Sequence, residues 1–371
     1  MCENIDIAWL NDSIAKLDKQ AVSDASDYQN NLTKPQYSLG YLEDIVLQFS
    51  AWQGNYKPSL EHIHISVFAA DHGIAEENVS AFPQAVTAEM VKNFVNGGAA
   101  ISVLARHLQA KLEIIDVGVK DFKPLDGVIS QRSGNGTANF LYNNAMSVSQ
   151  LEQSLQTGYA AAQRAYTTAS QIFIGGEMGI ANTSSATVIA CLLLAQTPQQ
   201  LTGAGTGLNQ VGIQHKISIL EQALLRCNDV KHYVDKDIKS SATQQQALKI
   251  LVMLGGFEIA ALTGAYLRCS QLGIPILVDG FIASVAALLS ISIQPKSRDW
   301  MLFAHASAEQ GHKHILAAMD AKPILDLAMR LGEASGAAVS IPIIQQALLL
   351  HHQMASFAEA GVTNKDEEHP V

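Results

Sequence analysis
Three stretches of the chain combine residue types that chemistry needs. In Gly175-Gly-Glu-Met-Gly-Ile-Ala-Asn-Thr-Ser-Ser-Ala186, an apolar run ends in glycines, and small and hydroxyl residues lead into an apolar helix from Val188 to Leu194. Glycines let a backbone approach a ligand closely, and free N–H groups at a helix start attract phosphate or carboxylate. Thr183, Ser184 and Ser185 add hydroxyl donors, although an ordinary capped helix after a glycine turn reads the same way. Gly203-Ala-Gly-Thr-Gly207, with Lys216 downstream, reads as a second anion cradle with a cation; taken alone, Lys216 reads as a solvated lysine. Arg330-Leu-Gly-Glu-Ala-Ser-Gly-Ala-Ala338 sets one carboxylate, Glu333, among tiny and apolar neighbours. Desolvation there raises a carboxyl pKa, which suits a general base near neutrality. An exposed helical glutamate fits the same residues.

These groups need elements to hold them. His62 to Ala70, Leu112 to Gly118, Gln171 to Gly176, Ile274 to Gly280 and Trp300 to His305 are short apolar runs, with helical stretches between them. Buried strands alternating with helices predict a parallel α/β sheet covered on both faces, Rossmann-like in class. The strand ends carry Asp71, His72, Asp116, Glu177, Asp279, His305 and Ser307. Ligands of open α/β sheets bind outside the carboxyl ends of the strands, so these residues converge on one crevice. The segment 1–58 is polar and helical in pattern, with Trp9, Leu10, Ile14 and Leu17 on one face and Tyr41, Ile45, Val46 and Phe49 on another. The chain after His314 reads as helical to about Gly361, followed by a frayed polar tail from Thr363. The expected organisation is therefore an α/β nucleotide-binding domain over 59–318. A small helical domain is made of 1–58 and 319–371.

Histidines and cysteines add little. His62 and His64 share a strand face, and His305, His312 and His314 cluster without the spacing of a zinc helix, so core or surface roles are expected and no metal site. His351 and His352 read as helix surface. Cys2, Cys191, Cys227 and Cys269 stand far apart, as idle thiols of a reducing compartment do.

Composition bounds the rest. Only 16% of the 371 residues are charged and the net charge is -10, against about 25% charged in an average soluble chain. The apolar content supplies a large core, and a nucleic-acid partner is disfavoured because phosphate backbones call for a basic face. The acidic start is not an export signal, and the apolar run Gly280 to Ile293 is shorter than the ~20 residues of a spanning helix. The reading is cytoplasmic, without membrane. Gly203 to Gly207 is neither a dinucleotide fingerprint nor a P-loop, which disfavours an NAD-dependent dehydrogenase.

Ala70-Asp-His-Gly73, Ile115-Asp-Val-Gly118, Gly176-Glu-Met-Gly-Ile-Ala-Asn-Thr183, Gly255-Gly-Phe257, Leu277-Val-Asp-Gly-Phe281, Ser307-Ala-Glu309 and Arg330 to Ala338 occur in order. Over roughly residues 40 to 360 they resemble the nicotinate-nucleotide–dimethylbenzimidazole phosphoribosyltransferase family. The resemblance implies transfer of ribose 5-phosphate from nicotinate mononucleotide to an aromatic base of the benzimidazole type, in cobalamin nucleotide-loop assembly. It implies a homodimer, no cofactor and no metal, since no pyrophosphate leaves. It gives Glu333 the role of general base. Gly176, Glu177, Gly179, Asn182 and Thr183 would hold the nucleotide, Gly203, Gly205 and Lys216 its phosphate, and Asp279 and Ser307 would line the crevice. Phe82 to Met90 matches the base-binding segment. The family pattern there has Ser before the proline and Gln seven residues after it, where this chain has Phe82 and Met90 around Pro83. That wall becomes more apolar, and purines, phenolics and substituted benzimidazoles are all open as acceptors. A non-catalytic nucleotide-binding or regulatory homologue is the alternative.

Overall fold
The computed structural model describes residues 5–227 and 243–363. Two compact units are formed. One contains residues 1–15 and 62–339, the other residues 16–61 and the chain from 340 onward. The divisions fall at 61/62 and 339/340 rather than at 58/59 and 318/319, and the first residues go with the sheet unit. The later division has a local reason, because residues 319–334 still build the sheet and its loops.

The sheet unit holds seven parallel strands: β1 (Ile63–Ala70), β2 (Lys111–Gly118), β3 (Val128–Ser130), β4 (Ile172–Met178), β5 (Ile276–Val278), β6 (Met301–His305) and β7 (Pro323–Leu325). Their spatial order is β3-β2-β1-β4-β5-β6-β7. The order reverses between β1 and β4, the switch point where α/β sheets take ligands. Every residue of β1 is buried, as its continuous apolar run requires of a strand covered on both faces. The register keeps the carboxyl ends level. Ala69 pairs with Asp116 on one side and Met178 on the other, and Val278 pairs with both Gly175 and Phe303. The polar residues that follow the strands therefore emerge along one edge.

The helix Phe257–Leu272 lies against the sheet and is buried along nearly its whole length within the one chain. Its apolar stretch Ala260 to Leu267 is core.

The second unit contains the helices Lys19–Asn30 and Tyr41–Gln53. Asp18 caps the first by accepting from Ala21 N–H at 3.0 Å. Lys34 and Glu43 form a buried ion pair at 2.9 Å.

Four sequence expectations change. Trp9 to Leu17 is not a helix: residues Ala8–Asn11 make one 3-10 turn, and the helix begins only after the Asp18 cap. The chain after His314 is not continuously helical. The helix His312–Ala318 ends, β7 pairs with β6, and a loop runs on to Ala334. The edge strands β3 and β7, three residues each, carry too short a pattern to be seen. His351 is buried rather than on the surface, with Nε2 2.7 Å from the Tyr56 carbonyl. The expected frayed tail and Cys2 lie outside the described residues, apart from Thr363 itself. Cys191, Cys227 and Cys269 are in no disulfide and are buried. No described helix is long and apolar enough to cross a membrane.

Candidate active site
A cavity of about 480 Å³ opens at the carboxyl ends of β4, β5 and β6. β4 supplies Glu177 and the turn Met178, Gly179 and Ile180. The helix Asn182–Leu194 supplies Asn182 and Thr183 from its first turn. Asp279 follows β5, His305 ends β6, and Ser307 and Glu309 follow it. Arg330 to Glu333 closes the opposite wall, and Phe82 stands at the rim, 52% exposed.

Glu333 sits in an unusual backbone. Gly332, Glu333 and Ala334 have φ of 83°, 63° and 69° in succession. Left-handed conformation costs a non-glycine residue roughly 1–2 kcal/mol, so the surroundings must impose it. Gly176 on β4 permits the turn to approach: a Cβ there would lie 2.8 Å from the Glu333 carbonyl carbon. Asp279 Oδ1 accepts from Ala337 N–H at 2.7 Å, and the N–H groups of Gly280 and Ala334 face the same carboxylate. Any side chain at Gly332 would strike the Glu177 carboxyl.

The carboxyls repel one another. Burial, reinforced by the charge of Asp279, raises the Glu333 carboxyl to about 7. Burial raises Glu177 well above the ordinary range, with Glu258, Asp279 and Glu333 adding to it, against a hydrogen bond from Asn182 Nδ2 at 2.5 Å. Asp279 is raised by burial, opposed by His305, whose Nε2 lies 3.8 Å away. Glu333 is thus one of several carboxyls in the site. Glu177, Asp279, Glu309 and Glu333 all line the cavity, because each follows or faces the carboxyl end of a strand.

The cations stand at the other end. Lys216 is buried, at 1% exposure, and donates to Thr183 Oγ1 at 2.8 Å. Burial lowers its ammonium to about 8, with Glu309 opposing. The solvated reading of this lysine is wrong: the helix Gln210–Arg226 turns it inward toward the Gly205 bend. Arg330 Nη1 donates to the Gly205 carbonyl at 3.1 Å. Thr206 Oγ1 accepts from Ala81 N–H at 3.1 Å and bonds the Ser80 hydroxyl at 3.1 Å, tying the rim loop to the glycine bend.

Some expected residues do not reach the cavity wall. Gly176 faces the Glu333 turn, Gly203 lies against the Glu309 carboxylate, and Pro83 and Met90 lie off the lining. Lys216 stands behind Thr183. The helix start at Asn182 is less open than expected, since Asn182 N–H and Ser184 N–H already donate to Gly179 and Ala181 carbonyls. Gly179, Asn182, Thr183, Gly205 and Ser307 line the cavity as placed. His305, expected in the crevice from its strand end although the histidine cluster alone read as core or surface, lines it too. Arg330 and Glu309 stood inside quoted motifs without a role. His312 stays out of the cavity wall. Its Nδ1 accepts from Ser307 N–H at 2.8 Å and its Nε2 bonds Ser284 at 2.9 Å, while burial lowers it to about 3, with His305 adding.

A crevice at the carboxyl ends of β4, β5 and β6 that brings buried carboxyls near a lysine and an arginine suits a nucleotide-handling transferase. The phosphoribosyltransferase family model matches residues 14–362. The chain belongs to the nicotinate-nucleotide–dimethylbenzimidazole phosphoribosyltransferase family. Proteins of that name from Pseudomonas putida and Azotobacter vinelandii are each 49% identical, over 96% of this chain and 99% and 98% of their own lengths. The crystal structure of CobT from Thermus thermophilus superposes with a TM-score of 0.85 at 36% identity, covering 93% of this chain and 99% of that one.

Proposed function
We propose that this protein transfers ribose 5-phosphate from nicotinate mononucleotide to a benzimidazole-type base, giving the α-riboside phosphate and nicotinate. The single observation that carries the mechanism is Glu333: a buried carboxyl, raised to about 7, facing a nucleotide-sized cavity. The pyridinium of the donor leaves without protonation, so no general acid is required. The acceptor nitrogen attacks C1′ from the opposite face and inverts the centre. Its partner N–H proton passes to Glu333, which is half ionised near neutrality and so matched to the task.

At the other end, Lys216, Thr183, Gly205 and Arg330 form a locus suited to the 5′-phosphate. Gly179 and Asn182 lie against the nucleotide, Ser307 lines the crevice, and Phe82 offers an aromatic face to the base. The family resemblance further supports a cytoplasmic homodimer, which sedimentation of the purified protein tests.

The test is incubation with nicotinate mononucleotide and dimethylbenzimidazole, following released nicotinate by chromatography. Glu333→Gln is expected to lower turnover by roughly 10²–10⁴ while nucleotide binding survives. Full activity in that variant excludes Glu333 as the base. No release with any of several aromatic bases supports the non-catalytic nucleotide binder instead.

A further inference from the structure
We propose that Asp279 acts through Glu333 rather than on the substrate, as the anchor and charged neighbour of the turn that carries the general base. The proposal rests on the reading of Glu333 given above. Asp279 is 3% exposed, and its Oδ1 is already committed to Ala337 N–H at 2.7 Å, with Gly280 and Ala334 N–H groups beside it. Two of those three donors lie within four residues after Glu333. Their bonds fix the left-handed peptides of the turn and the start of the helix Ser335–Gln353, and so fix where the Glu333 side chain points. A carboxylate spent on backbone amides has little capacity left for a ribose hydroxyl.

Its charge has a second effect. Like charges in a dry site cannot both be ionised without cost. Asp279 therefore adds to burial in keeping Glu333 from being permanently ionised, and a base that is never protonated at working pH is a weaker one. The other ionisable groups of this surface are Glu177 on β4, Glu258 and Tyr266 from the helix Phe257–Leu272, His305 on β6, Glu309 after it, and Arg330. His305 is the neighbour that opposes the effect of burial on Asp279. Its ring packs against Gly336 and Gly280, with Nε2 3.8 Å from Oδ1.

The test compares wild type, Asp279→Asn and Glu333→Gln in full pH profiles. Asp279→Asn keeps an acceptor for Ala337 and loses the charge. Its acid limb of kcat/KM is expected to move down by about one pH unit, with the KM for nicotinate mononucleotide within about twofold of wild type. Asp279→Ala, which also loses the acceptor, is expected to lose roughly 10²-fold in kcat through misplacement of the base. An unmoved acid limb in Asp279→Asn, or a rise in KM at unchanged kcat, overturns the proposal. Should the variants fail to fold, carbon-13 titration of the wild-type carboxyls decides. Coupled two-step titration of Asp279 and Glu333 supports the proposal, and an independent single step for Glu333 overturns it. A fully active Glu333→Gln removes the underlying reading, whereas an inactive one with an unmoved Asp279→Asn profile removes this inference alone.

Discussion

The Cα of Gly176 lies against the peptide that joins Glu333 to Ala334, so a strand residue sets the position of a carboxylate far along the chain. A Cβ at Gly176 would meet the Glu333 carbonyl carbon at 2.8 Å and the Ala334 nitrogen at 3.0 Å. Gly176→Ala is expected to push the turn away and lower kcat by roughly 10–100-fold, because displacements on the order of an ångström near reacting atoms have that effect. The KM for the nucleotide should change much less. Steady-state kinetics separates the two, and circular dichroism confirms the fold.

The wild-type enzyme should show an acid limb in kcat/KM centred near pH 7. Glu333 accepts a proton only when ionised, and burial together with Asp279 holds its carboxyl at about 7. Activity therefore falls about tenfold per pH unit below that value and levels off above it. A limb centred near pH 4 would show that Glu333 is not the titrating base.

Lys216 titrates in the opposite sense. Its ammonium, lowered to about 8, is charged below that pH and neutral above it. The KM for nicotinate mononucleotide is expected to rise as pH passes 8. Lys216→Met should raise it by roughly 10–100-fold at pH 7, the loss of one charged hydrogen bond to an anion. A KM that is flat to pH 9.5 would place the phosphate elsewhere.

Glu113 predicts the acid stability. Its carboxylate accepts both Arg164 Nε and Nη2 at 2.9 Å and the Ser66 hydroxyl at 2.7 Å, with His64 at 3.2 Å. Although burial opposes them, these partners hold it at about 2, below its ordinary 4.5. The folded state thus binds this proton less readily than the unfolded chain. The resulting stability, on the order of 3 kcal/mol, is present above pH 4.5 and lost as pH falls toward 2. Glu113→Gln should flatten the acid limb of a urea-midpoint profile measured between pH 6 and 2.5.

The strands that could be read in the sequence are those whose apolar runs continue through both buried faces. β1 and β6 are buried along their whole eight and five residues, and β2 over its last six. β7 begins on a proline and lasts three residues, so its pairing with β6 is a tertiary fact with no local trace. The site divides in the same way. Glu177, Asp279 and Glu333 could be named because each stands beside glycines or at a strand end. That Lys216 is buried could not be read, because its helix carries an ordinary mixed pattern and only packing decides which face turns inward. The left-handed Glu333 and Ala334 were hidden for a similar reason: nothing in a glutamate or alanine asks for that conformation, and Asp279 and Gly176 impose it from elsewhere in the chain.

The strand order carries a consequence for how the molecule is made. Ile63 of β1 pairs with Ile172 of β4 at the centre of the sheet, yet β2 and β3 are both laid down between them in the chain. The central seam therefore joins late, after a long loop has been closed at an entropic cost that grows with its length. Parallel pairings of this range make folding slow and leave strand edges open meanwhile. During synthesis, β1 and β2 emerge with an exposed apolar edge and wait for β4. The crevice at the ends of β4, β5 and β6 cannot exist until that interval ends.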